Sequence, residues 1–196
     1  METMRVPVVA GRSKEHIERS AMRFLHRYFP PALGGPVPVP IADIIEYDMP
    51  SDRPNLIMRV TELPSPLEAN TDSITTPGII DVSFDIRTYN ALRDGNFRAR
   101  FTAAHEAGHV EMHADQVPVA LSTGKFQGYA RRADIPAYCD PEWQANYFAA
   151  CVLMCRPAME SIVAQYGQSA EIVSELLQVS HPAAARRLMY LFGTIK

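Results

Sequence analysis

His105, Glu106 and His109 lie in the segment RFTAAHEAGHV, residues 100–110. Two histidines four residues apart share one face of a helix, so both imidazoles can reach a single metal ion. Glu106 is turned about 100° from His105, where it can hold a water on the same ion and take its proton. Two ligands and a positioned base make up most of a hydrolytic zinc site. Chance produces this pattern in on the order of one chain in a hundred of this length, so its surroundings decide its meaning. Phe101, Ala104, Gly108 and Val110 are small or apolar, and no proline falls between Leu92 and Gln116. A buried helix is expected, and burial strengthens a metal site by lowering the local dielectric.

A catalytic zinc takes three protein ligands and keeps one position for water. The best third candidate is Glu142, 33 residues after His109, in the apolar stretch PEWQANYFAACVLMC of residues 141–155. A helix there, packed antiparallel to the first, would present Glu142 to the metal. Asn146, one turn further on, would then stand where a ligand histidine needs a hydrogen-bond partner. His113 continues the series of His105 and His109, but two turns of straight helix carry it about 12 Å from His105. It reads as a support to a ligand rather than a ligand. Cys139 is close enough in sequence to Glu142 to approach the metal, while Cys151 and Cys155 read as buried thiols. Zinc is the expected ion, with manganese as the alternative.

The elements that must position these groups show in the periodicity. Residues 1–12 read as a loose arm. Ser13 to Phe29 form an amphipathic helix capped by Ser13, with Ile17, Ala21, Phe24, Leu25 and Tyr28 on one side. Prolines at 30, 31, 36, 38 and 40 end it in a stiff connector, and Ile41 to Tyr47 form a short second helix. Asn55–Glu62 and Gly78–Ile86 read as strands. In the latter, Ile80, Val82, Phe84 and Ile86 alternate with Asp81, Ser83 and Asp85. Pro64, Pro66, Asn70, Asp72, Pro77 and Gly78 mark a loop between the two strands. A turn at Asp94–Gly95 leads through Arg98 and Arg100 into the histidine helix. Ser122 to Tyr138 read as a loop. Asp140 caps a helix that begins at Pro141 and runs to Cys155. Three more helices follow, over 157–166, 169–178 and 182–192. Gly167 closes the first and Ser180 caps the last.

Composition is that of a globular domain: 196 residues, 47% hydrophobic and 21% charged, with a net charge of −3. Direct contact with nucleic acid is not expected, because its electrostatic footprint is basic. The arginine pair Arg186–Arg187 is too small a basic cluster to change that. The apolar run Val6–Ala10 is too short for a signal core, and no stretch reaches membrane-span length. Three cysteines form no disulfide framework, which suits a reducing cytoplasm.

The stretches Arg100–His109 and Glu142–Ala149, followed by Leu153–Met154, resemble the ImmA/IrrE metallo-endopeptidases. That family pairs R-F-T-x-A-H-E-x-G-H with a downstream E-x-x-A-N-x-F-A. The resemblance is strong over 98–156 and loose over 14–97. The ending from Val179 to Leu188 is similar to the family's common close. It implies His105, His109 and Glu142 as zinc ligands and Glu106 as catalytic base, with Asn146 and His113 in support. It also implies an α+β fold, a zincin-like core in which a small antiparallel or mixed sheet packs on the histidine helix. On this reading residues 1–50 are an N-terminal arm and helices, 51–156 the catalytic core and 157–196 a C-terminal helical subdomain, together one compact unit. Two positions depart from the family pattern. Gln144 stands where many members have a second acid, and Cys155 where a proline is usual. Members often carry an N-terminal helix-turn-helix domain, for which there is no room before the catalytic region. Known members cut a helix-turn-helix repressor or antitoxin and release its genes, so the resemblance implies site-specific proteolysis inside the cell with such a protein as partner. The alternative is a binding module that sequesters a repressor without cutting it; Glu106 beside intact ligands favours the enzyme.

The oxyanion donor stays open among Tyr138, Tyr89 and Arg100. The strand Ile79–Ile86 is either an internal strand or an edge on which an extended substrate can pair. His26 and His181 read as surface residues, and His16 has no evident partner.

Overall fold

The computed structural model describes residues 5–76, 78–116, 122–124 and 128–193. Pro77, the first four residues of the expected arm, and 125–127 of the expected loop lie outside them. Eight helices and five short strands are present among the described residues. They are β1 (Arg5–Pro7), α1 (Lys14–Tyr28), α2 (41–52, with a widened middle turn at Ile44–Asp48), β2 (Leu56–Thr61), β3 (Ala69–Asp72), β4 (Ile80–Asp85), α3 (Ile86–Arg93), α4 (Phe97–Met112), β5 (Tyr129–Arg131), α5 (Pro141–Leu153), α6 (Arg156–Tyr166), α7 (Ala170–Leu177) and α8 (His181–Phe192). The fold is α+β, with a small mixed sheet against the histidine helix and further helices before and after it.

The helix caps follow the local chemistry of the sequence. Ser13 accepts from the His16 amide, Asp140 from Glu142 and Ser180 from Ala183, each satisfying a donor that the first turn leaves free. Asn96 caps α4 by accepting from the amides of Arg98 and Ala99. Gly167 closes α6 at φ 76°, a conformation that costs a residue without Cβ little. α1 buries Ile17, Ala21, Phe24 and Leu25, and Phe24 meets Phe148 of α5 edge-on at 5.5 Å. The same apolar core takes in Val110 of α4, Met159 and Ile162 of α6, Val173 of α7 and Leu188 of α8.

The sheet order is β2-β4-β3, with β2 parallel and β3 antiparallel to β4. Ile80, Val82 and Phe84 are buried on one face of β4, as their alternation requires. Ile86 does not continue the strand. It starts α3 and is 47% exposed, because Asp85 turns the chain by accepting from the Arg87 amide. Two of three further departures from the sequence reading share one cause, a partner distant in sequence. The loop expected between Glu62 and Gly78 contains β3, whose segment Ala-Asn-Thr-Asp has little strand preference as a whole but pairs with β4. The arm is not loose, because β1 pairs with β5 within the expected loop of 122–138, and Val9 is buried. The third is local: the turn at Asp94–Gly95 stands where expected, but a helix absent from the sequence reading, α3, leads into it. Its eight residues end where the Asp94 and Gly95 amides bond back to Asn90 and Leu92. No single helix among the described residues is long and apolar enough to cross a membrane.

Candidate metal centre

α4 and α5 carry the candidate ligands and cross at Gly108. A Cβ there would stand 3.1 Å from the Phe148 ring and 3.2 Å from Cα of Ala145, so the bare glycine sets how closely the helices approach. Their contacts pair rising numbers on one helix with falling numbers on the other, His105 with Asn146 and His109 with Glu142, which makes them antiparallel. The crossing brings three candidate ligands together. His105 Nε2 and His109 Nε2 are 2.9 Å apart, and the Glu142 oxygens stand 3.3 Å and 3.2 Å from them. Tetrahedral zinc with bonds of about 2.0–2.1 Å sets its ligand atoms about 3.3 Å apart. The three groups therefore fit such an ion, with His105 and His109 each about 15% exposed and Glu142 30% exposed at the side chain.

The hydrogen bonds behind the ligands choose the tautomers. Asn146 Oδ1 can only accept, so at 3.2 Å it draws a proton onto His105 Nδ1 and leaves Nε2 with its lone pair toward Glu142. For His109 the choice is relayed. Gln144 Nε2 donates to the carbonyls of Ala10 (3.0 Å) and Tyr138 (2.7 Å), which turns its Oε1 toward His113 Nε2 at 3.0 Å. His113 donates there, so its Nδ1 accepts from His109 Nδ1 at 3.1 Å, and the His109 Nε2 lone pair is free. The relay needs a neutral His113. Burial, aided by the neighbouring His109, pushes its pKa down to about 3. Burial alone would raise the Glu142 pKa, but before an ion binds, His105 and His109 when protonated also at Nε2 donate to it and hold its carboxyl well below the usual carboxylate range. Burial opposes a charge on His105, yet Glu142 and Glu106 together raise its pKa. Two imidazoles and an anion with converging lone pairs suit a divalent cation. Gln144→Leu is expected to lower zinc affinity by about 10–100-fold although every ligand remains. A chelator-competition titration checks this, and unchanged affinity would break the relay.

Glu106 is buried beside this centre and accepts a 2.6 Å hydrogen bond from Thr71 Oγ1 of β3. Thr71 escaped the sequence reading because its segment looks like a loop. A cleft of about 370 Å³ opens on His109 and Glu142, walled by 70–75 on one side and by Pro7, Val9 and Tyr129 on the other. β3 lies at the edge of its sheet, while β4 is bonded on both sides and cannot pair with a further chain. The arm braces the site from behind: Arg12 Nη2 donates to the Met112 carbonyl at the end of α4.

Other residues raised by the sequence lie elsewhere. The Tyr89 hydroxyl donates to Glu46, and the Arg100 guanidinium is buried on the carbonyls of Val39 and Gln178, so neither is free to serve the cleft. Tyr138 offers its carbonyl to Gln144 while its ring lies against Gly11. Cys139 is not among the converging ligand atoms of the described residues. Cys151 and Cys155 are buried, and that burial raises their thiol pKa values. Arg187 is held on the Met154 carbonyl and Glu18 and cannot reach a phosphate. His26 and His181 are exposed, and His16 has Arg12 at 3.0 Å.

No curated protein matches the chain. Residues 59–189, which hold both helices of the candidate centre, match the family model Peptidase_M78, described as the IrrE N-terminal-like domain. With that match spanning well over half its length, the chain belongs to the M78 family of metallopeptidases.

Proposed function

We propose that this protein is a zinc-dependent endopeptidase that cleaves a regulatory protein, a helix-turn-helix repressor or antitoxin, in the cytoplasm and so releases its genes. The observation that carries the peptidase reading is the convergence of His105, His109 and Glu142, with Glu106 buried beside them. His105, His109 and Glu142 would hold the ion, which when bound supplies Lewis acidity toward a water and the scissile carbonyl. Glu106 takes the proton of the attacking water and returns it to the leaving amine. The Thr71 hydroxyl holds one Glu106 oxygen, so the other is aimed rather than free to rotate. An extended substrate is taken along the outer edge of β3, where backbone pairing gives affinity with little sequence selectivity. The choice of a repressor rests on the family resemblance of the two motifs.

The test is to incubate the purified protein and zinc with a helix-turn-helix protein sought among the products of neighbouring genes, alongside Glu106→Gln. The wild type is expected to cut at a defined bond, and Glu106→Gln to lose about 10²–10⁴-fold in rate with its zinc affinity kept. Cutting that persists in Glu106→Gln removes Glu106 as the base. Tight binding without cutting by either protein points instead to sequestration.

A further inference from the structure

A second cleft, of about 780 Å³, adjoins the metal centre. It shares Asn146, whose side chain holds His105, and it includes Trp143, the neighbour of Glu142. Its walls are aromatic. Trp143 and Tyr147 stack at 5.7 Å, and Tyr190 of α8 meets Tyr147 edge-on at 5.6 Å. Its charged lining is all of one sign: Lys14, Arg98, Arg186 and Arg187 border it, and no carboxylate does among the described residues. Arg98 is answered by Glu68 and Arg187 by Glu18. Lys14 and Arg186 form no ion pair among the described residues, and Lys14 Nζ rests 4.4 Å from the Tyr190 ring centre. An open aromatic groove bordered by two positive side chains that form no ion pair among the described residues selects an apolar body that carries a negative charge.

We propose that this cleft reads the protein substrate, taking a bulky apolar side chain and an adjoining aspartate or glutamate close to the bond to be cut. The assignment rests on the peptidase reading above, from which it takes its occupant. Continuity with the metal centre favours a substrate segment, because a chain lying across His105 and Glu142 reaches Trp143 and Asn146 within a residue or two.

Trp143 is the only tryptophan, so its fluorescence reports the cleft directly. The full-length protein, stripped of metal so that nothing is hydrolysed, is titrated with ten-residue peptides centred on Phe–Glu, Phe–Gln, Phe–Lys or Ala–Glu. The Phe–Glu peptide is expected to bind about tenfold or more tightly than the others. The double charge reversal Lys14→Glu/Arg186→Glu, at side chains outside the core, is expected to move the preference to Phe–Lys. Ala183→Phe, which fills the cleft, is expected to weaken all four. Equal binding of Phe–Glu and Phe–Gln overturns the proposal, as does a preference that survives charge reversal. Binding of 3-phenylpropionate without any peptide binding also overturns it, in favour of a small acidic ligand. The two readings fail separately. Zinc-loaded protein that cuts Phe–Glu and Phe–Gln peptides alike leaves a peptidase without this specificity, whereas selective binding with no cutting leaves a recognition cleft without the peptidase.

Discussion

Glu142→Ala is expected to abolish peptidase activity and to weaken zinc binding by more than the 10–100-fold that follows loss of a supporting partner. Only His105 and His109 would remain, and two imidazoles do not make a catalytic zinc site. The loss should be local. Glu142 is partly exposed at the N-terminus of α5, whose cap is made by Asp140. The metal-free fold loses the interactions of this carboxylate with His105 and His109 as well as its place near a helix N-terminus, so a modest fall in stability with the helices kept is expected. Chelator competition gives the affinity, and far-UV circular dichroism with urea unfolding gives the fold. Unchanged zinc affinity would remove Glu142 from the ligand set.

Gly108→Val should be nearly as damaging by a different route. A valine adds two methyls beyond a Cβ that already meets Cα of Ala145 at 3.2 Å, and backbone cannot swing aside as a side chain can. Either α4 and α5 separate or α4 shifts, and both spread His105 and His109 from Glu142. Overpacking of this kind costs about 1–3 kcal/mol. Gly108→Ala is the informative companion. Its helix preference returns about 1 kcal/mol against a smaller clash, so it should sit near the wild type. Unfolding with and without zinc checks both. The valine variant should lose stability and also most of the zinc-dependent increment, whereas the alanine variant should keep that increment. A valine variant that retains the full zinc increment would show that the close crossing at Gly108 does not hold the ligands together.

The residues that could do chemistry were legible because their meaning is local. The spacing of His105 and His109 is a property of any helix, and the helix is written in its apolar, proline-free composition. Asp140 before Pro141 likewise announces α5 and places Glu142 in its first turn. The buried face of α1 and the alternation in β4 are periodic signals of the same kind. That the second helix packs antiparallel and presents Glu142 to the metal was expected from the need for a third ligand and again from the family resemblance, and the crossing at Gly108 supplies its geometry.

Only the tertiary structure decided the rest. β3 exists because β4 lies beside it, and without β3 there is no Thr71 to hold Glu106. Gln144 looked like a lost acid. It becomes the start of a tautomer relay because Ala10, 134 residues away in sequence, and Tyr138 turn carbonyls toward its amide. A buried amide must find its partners wherever the chain brings them, and no local pattern records where that is. The sequence by itself thus singled out the groups suited to bind a metal and move a proton. The fold determined which nitrogen of each histidine is free to do so, because that depends on hydrogen bonds between segments that meet only once the chain has folded.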